Sequence, residues 1–143
     1  MIKYMLDTNI VIYIIKRRPM EILEKFNANV GRMVISSITL AELMHGAEKS
    51  QFVERNTRAV EDFISRLDVI HYDDKAAFHY GSIRSDLEKK GTPIGVNDLH
   101  IAGHARSSGL VLVTNNEGEF KRVNGLIVEN WIAAYGSQSS AHR

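Results

Sequence analysis

The chain has 143 residues, of which 44% are hydrophobic and none is cysteine, and its formal net charge is +1. That length and apolar content suit one domain with its own core, and the missing cysteines exclude disulfide frameworks, thiolate zinc sites and thiol nucleophiles. Charge so close to balance offers no overall basic field, so a nucleic-acid partner must be held by local patches.

Apolar periodicity divides the chain into alternating strands and helices. "IKYML" (2–6) reads as a buried strand, followed by a helix from about Asn9 that stops before Pro19, because the residue ahead of proline resists helical geometry. "PMEILEKFNANV" (19–30) starts a second helix with proline in its first turn. "RMVIS" (32–36) is a strand and "SITLAELMHGAEKS" (37–50) a helix. "FVERNTRAVEDFISRL" (52–67) repeats apolar residues at helical spacing, and "DVIHY" (68–72) is a third strand. "DDKAAFHYGSIRSDLEKKG" (73–91) is a long helix closed by Gly91, "TPIG" a loop, and "VNDLHIAGHARSSG" (96–109) a further helix. "LVLVT" (110–114) is a β-branched strand, and "LIVENW" (126–131) forms a last short one. Strands separated by helices predict an α/β fold, a central parallel sheet flanked by helices. Residues 1–132 are expected to form one domain and 133–143 a small, polar, disordered tail. No secretory leader is recognisable, and no stretch approaches the roughly 18 consecutive apolar residues of a membrane span. The expectation is a cytoplasmic protein.

In an open parallel sheet, ligands bind beyond the carboxyl ends of the strands. Asp7 follows the first strand, Glu42 lies early in the helix after "MVIS", Asp98 early in the helix after "TPIG", and "TNNEGEF" after "LVLVT" supplies Thr114, Asn116 and Glu119. Each position has a structural reading as well. Asp7 fits a helix N-cap, Thr39 and Glu42 have capping-box spacing, and Asp98 suits the positive end of a helix dipole. Asn116 fits a turn and Glu119 a solvated surface. Taken together, however, acids from separated segments meeting at one sheet edge would repel one another unless a cation neutralised them. Hard divalent ions with oxygen ligands, Mg²⁺ or Mn²⁺, are the natural counter-charge.

Four blocks carry a family likeness: "MLDTNIVIY", "SSITLAELMHGAEKS", "GTPIGVNDLHIAGHARSSGLVLVTNN" and "EFKRVNGLIVENW". In order and spacing they resemble the VapC toxins of the PIN-domain ribonucleases, through Trp131. The resemblance implies a PIN-like fold and an Mg²⁺- or Mn²⁺-dependent endoribonuclease. In that picture Asp7, Glu42 and Asp98 are the acidic metal ligands. Glu119 contributes through water with Asn116 orienting it, and Thr8 and Thr114 support the ligands. It also implies a VapB-type antitoxin, toxin homodimers, and an RNA substrate. Enteric members with the block carried here by Arg84, Gly91, Pro93, Ile94 and Gly95 act on initiator tRNA in the anticodon stem-loop. Candidate RNA contacts are Lys16, Arg17, Arg18, Arg84, Lys89, Lys90 and Arg106, each of which also fits an ordinary solvated surface.

Competing chemistries lose key residues. His100 and His104 have the i, i+4 spacing of a helical zinc pair, but Ile101 stands where a metalloprotease places its glutamate. No serine-hydrolase elbow or P-loop occurs. "DTNIV" resembles the haloacid-dehalogenase phosphatase motif, yet Asn9 replaces the second aspartate and cannot transfer its proton. A PIN-like module that only binds RNA or protein would be favoured if one of Asp7, Glu42 and Asp98 were missing, and none is.

Overall fold

The computed structural model describes residues 1–132, so the expected tail at 133–143 lies outside the described residues. Its elements in chain order are β1 (Tyr4–Leu6), α1 (Thr8–Lys16), α2 (Met20–Ala28), β2 (Met33–Ser36), α3 (Ser37–Glu48) and α4 (Val53–Ile64). They continue with β3 (Asp68–Ile70), α5 (Asp74–Lys89), α6 (Val96–Ser107), β4 (Val111–Val113), α7 (Glu117–Phe120) and β5 (Val128–Glu129). All strand pairs are parallel, in the order β3-β2-β1-β4-β5.

Burial on both faces explains why the strands read as continuous apolar runs. Tyr4, Leu6, Met33, Ile35, Val111 and Val113 join the core under α1 to α4, with Ile10, Ile14, Ile22, Phe26, Val60 and Phe63. Met5, Val34 and Leu112, one residue out of phase, join Ile83, Leu87, Leu99, Ile101 and Phe120 on the other face. The apolar stripes of α2 and α4 therefore fill the core. Helices α5 and α6 approach so closely that a Cβ on Gly103 would sit 2.9 Å from the Tyr80 amide nitrogen and 3.0 Å from the Ala76 carbonyl oxygen.

The strands are shorter than their apolar runs suggest. Residues 2 and 3 lie outside β1, and β5 shrinks to Val128–Glu129, because pairing requires a neighbour strand and not only apolar side chains. The sequence pattern gives no sign of helix α7. It is a single turn in a stretch whose sequence reads as a polar loop.

This topology fixes where a site can form. After β1 the chain goes to β2 on one side, and after β3 it crosses back to β4 on the other. The order thus reverses between β1 and β4, which opens a crevice at their carboxyl ends. Asp7 and Thr114 directly follow those two strands, and the Asp7 amide donates to the Val113 carbonyl at 2.9 Å.

Candidate active site

Asp7 is 4% exposed and is the N-cap of α1. Its Oδ1 accepts from the Thr8 amide at 2.8 Å, and its Oδ2 accepts from the Thr114 hydroxyl, also at 2.8 Å. The capping and acidic-site readings therefore coexist in one side chain. Burial pushes the Asp7 carboxyl above its ordinary value, the bonds from Thr114 and Thr8 oppose that, and the neighbouring charges of Glu42 and Glu119 add to the rise.

Glu42 is not a capping-box residue. The N-cap of α3 is Ser36, whose hydroxyl accepts from the Ile38 amide at 3.0 Å, so Thr39 and Glu42 fall one register inside the helix. Freed from the helix end, Glu42 reaches the crevice. Its Oε1 accepts from the Thr8 hydroxyl at 2.6 Å and its Oε2 from Asn97 Nδ2 at 3.0 Å. The buried Thr39 hydroxyl lies 3.1 Å from that of Thr8. Sequence reasoning passed over Asn97, whose only signal is adjacency to Asp98, and the alternative capping-box reading of Thr39 and Glu42 does not hold.

Asp98 occupies the first turn of α6, after the N-cap Gly95. Its carboxyl is pushed up to about 7, first by burial, then by the charge of Asp7, a hydrogen bond with Glu119, and the charges of Glu119 and Glu42. Glu119 on α7 accepts from Asn116 Nδ2 at 2.9 Å, and the Asn116 amide donates to the Thr114 hydroxyl at 2.9 Å. The fold thus brings Asp7, Glu42, Asp98 and Glu119 within electrostatic reach of one another, with Thr8, Thr114 and Asn116 as their hydrogen-bond supports. Burial and the three neighbouring acids disfavour the charged form of Asp98, and a cation shared among them would favour it.

The donor set is all oxygen, which suits a hard cation and not zinc. Among the described residues no three acids or histidines close around a common point as a ligand cage. The histidine pair is otherwise engaged. His100 Nδ1 lies 2.8 Å from the Tyr72 hydroxyl, His104 Nδ1 lies 2.7 Å from the Ser36 hydroxyl, and burial lowers both imidazoles below their ordinary value.

The basic candidates separate. Lys16 borders an apolar groove of about 290 Å³ between α1, α3 and α4, which Glu42 also lines. Arg17 instead borders a pocket with Asp62, Phe63 and Arg66 over α4. Arg106 lies at the end of α6 far from Asp98, donating to His79 Nδ1 and the Asn124 carbonyl, so it supports the fold. Arg84 donates to the Tyr80 hydroxyl and pairs with Glu88, while Lys90 pairs with Asp86 and Lys89 is exposed in the last turn of α5.

Comparison with known proteins matches residues 4–126 to the PIN domain. Ribonuclease VapC2 of Haemophilus influenzae is 61% identical over 132 residues, covering 92% of this chain and 100% of that protein. The tRNA(fMet)-specific endonuclease VapC of Salmonella typhimurium is 58% identical over 131 residues, covering 92% of this chain and 99% of its own. Among solved structures, DNA-bound VapBC from Salmonella typhimurium superposes with a TM-score of 0.88 at 58% identity, covering 92% of this chain and 99% of that one. VapBC2 from Rickettsia felis, bound to a promoter DNA fragment, superposes at 0.86 with 46% identity and the same coverage. Nucleases of this family use divalent metal ions, in keeping with the all-oxygen donor set. With a match spanning nearly the whole described chain and relatives more than half identical over their full length, the chain belongs to the PIN domain family, among the VapC ribonucleases.

Proposed function

We propose that this protein is the toxin of a type II toxin–antitoxin pair and acts as an Mg²⁺- or Mn²⁺-dependent endoribonuclease on tRNA in the cytoplasm. The observation that carries the reading is the gathering of Asp7, Glu42, Asp98 and Glu119 at the switch point between β1 and β4, where burial first and then the neighbouring acids push the Asp98 carboxyl up to about 7. Such a cluster is useful for phosphate chemistry once neutralised. A divalent ion held by Asp7, Asp98 and Glu42, in part through water, would lower the pKa of an attacking water and offset charge on the phosphate oxygens.

The chain's own side chains set the geometry for that chemistry. Thr114 fixes one oxygen of Asp7 while the Thr8 amide fixes the other. Thr8 and Asn97 hold the two oxygens of Glu42, and Asn116 holds Glu119 where it can bond Asp98. Water as the nucleophile leaves a 5′-phosphate and a 3′-hydroxyl, and no side chain needs to form a covalent intermediate. The tRNA(fMet)-specific name of relatives such as the Salmonella protein supports initiator tRNA as the substrate. The VapBC titles support a VapB-type antitoxin as the partner, and the apolar groove ending at Glu42 offers it a seat beside the acids.

The test is to incubate the purified chain with total tRNA in Mg²⁺, in Mn²⁺ and in EDTA, and to map the ends. Metal-dependent cuts in the initiator tRNA anticodon stem-loop, carrying 5′-phosphates, are expected. Full cleavage in EDTA, or none with either ion, would overturn the reading.

A further inference from the structure

Beside the acids, on the face shared by α5 and α6, lies a group of aromatic and basic side chains that the chemistry above does not use. The Tyr80 and His100 rings are stacked, with centroids 4.2 Å apart and planes 11° from parallel. Tyr72 meets His100 edge-on at 5.1 Å and 79°, and its hydroxyl lies 2.8 Å from His100 Nδ1. Beyond Tyr80, Arg84 Nη1 donates to the Tyr80 hydroxyl at 2.6 Å, and its guanidinium carbon lies 5.9 Å from the ring centroid. The Arg84 side chain is 44% exposed.

The position of this stack follows from the period of α6. Asn97, His100 and His104 are spaced i, i+3 and i+7, so they lie along one face of the helix. Asn97 holds Glu42, His100 carries the ring stack, and His104 anchors to Ser36. The stack therefore begins about 5 Å along the helix axis from the residue that holds one of the acids. At the other end of the stack, Arg84 borders a pocket of about 60 Å³ with Pro93, Ile94 and Val96, at the start of α6.

We propose that Arg84, Tyr80 and His100, braced by Tyr72, form a stacking platform for an unpaired nucleobase of the RNA, next to the phosphodiester held at the acids. The proposal rests on the ribonuclease reading above and adds the residues that hold the base beside the reacting phosphodiester. Planar guanidinium and aromatic groups are the usual supports for splayed bases, and the cation adds attraction for the neighbouring phosphate. Tyr72 and the Arg84 bond lock the ring planes in advance, so little freedom is lost when a base arrives. Stacking is tolerant of base identity, because every base has a π face. The platform thus selects unpaired nucleotides rather than a sequence, and a duplex, whose bases stack on each other, cannot use it.

The experiment measures cleavage of a tRNA anticodon stem-loop in Mn²⁺ by the full chain, its Arg84→Ala, Arg84→Lys, Tyr80→Leu and Tyr80→Phe variants, each with its melting temperature. In parallel, the Asp98→Asn protein is irradiated with the same RNA carrying 4-thiouridine in the loop. Loss of one stacking contact should raise KM about 5- to 100-fold in Tyr80→Leu and in Arg84→Ala, with the effect on KM rather than kcat. Tyr80→Phe, which keeps the ring, should restore most of the affinity, Arg84→Lys, which keeps charge but not the plane, should not, and crosslinks should map to peptides containing Tyr80 or His100. KM unchanged in Arg84→Ala and Tyr80→Leu, full rescue by Arg84→Lys, or crosslinks only elsewhere would overturn the platform while leaving the ribonuclease intact. Wild-type protein that cuts no RNA would overturn both.

Discussion

Replacing Asp98 by asparagine should stabilise the metal-free protein, although it removes a residue expected to be indispensable for cleavage. The carboxyl is raised from 3.8 to about 7, chiefly by burial and then by Asp7, Glu119 and Glu42. An acid whose pKa is higher in the folded state binds more protons when folded. Stability therefore falls as pH rises from about 4 to about 7, and the whole penalty is present above that. Fully shielded, a rise of that size would correspond to roughly 4 kcal/mol at about 1.4 kcal/mol per unit. The side chain is only half-buried and faces an open crevice, so screening reduces the figure to about 1–2 kcal/mol. For a domain of this length that is a gain of roughly 4–8 °C in Tm. Melts of wild type and Asp98→Asn in EDTA should differ by that amount at pH 8 and converge only below about pH 4, where the carboxyl is protonated in the folded and the unfolded chain alike. In millimolar Mn²⁺ the order should narrow or reverse, because a ligand stabilises only the form that binds it. Equal melting temperatures at pH 8, or a gain independent of pH, would refute the idea that burial beside the other acids makes the charged Asp98 destabilising in metal-free protein.

Three smaller changes test the supports of the site and the fold. Thr114→Val removes the hydroxyl donor to buried Asp7 Oδ2 and should cost about 1–3 kcal/mol in urea unfolding, whereas a neutral result would mean water replaces the hydroxyl. Asn97→Ala frees one oxygen of Glu42 and should raise the Mn²⁺ concentration for half-maximal cleavage roughly 10- to 100-fold, with an unchanged metal titration counting against Asn97 as a positioning residue. Gly103→Ala forces a methyl against the backbone at Tyr80 and Ala76 and should cost about 1–3 kcal/mol, read as a lower Tm, and a neutral variant would show that α5 and α6 can separate freely.

The alternation of strands and helices was legible because burial on both sheet faces leaves uninterrupted apolar runs such as "LVLV", and because helices repeat at a different period. Strand ends were less legible, since they depend on where the backbone bonds go: of the apolar "LIV" only Val128 joins β5, because the Leu126 amide turns back to the Val123 carbonyl. Helix α7 escaped notice because a single turn carries no period. The four acids could be named, but Thr39, Asn97 and the Tyr72–His100–Tyr80 stack could not, since each acts across sequence separations that no local pattern encodes.

Glu42 shows why local rules mislead at such a place. Thr39 and Glu42 satisfy the capping-box spacing, and on sequence alone the helix could begin at Thr39. The N-cap lies three residues earlier, at Ser36, which ends a fully buried strand and whose hydroxyl accepts from the Ile38 amide. That shift turns Glu42 from a helix-end acid into one that projects from the second turn toward Thr8 and Asn97. Asp7 is the opposite case, because its N-cap role is real and still leaves it facing the other acids. Helix starts and anionic ligand sites meet at the same end of a parallel sheet, where helix dipoles and strand ends coincide. Here, then, a structural explanation for an acid does not count against a chemical one, and only the partners of its two oxygens decide which roles it holds.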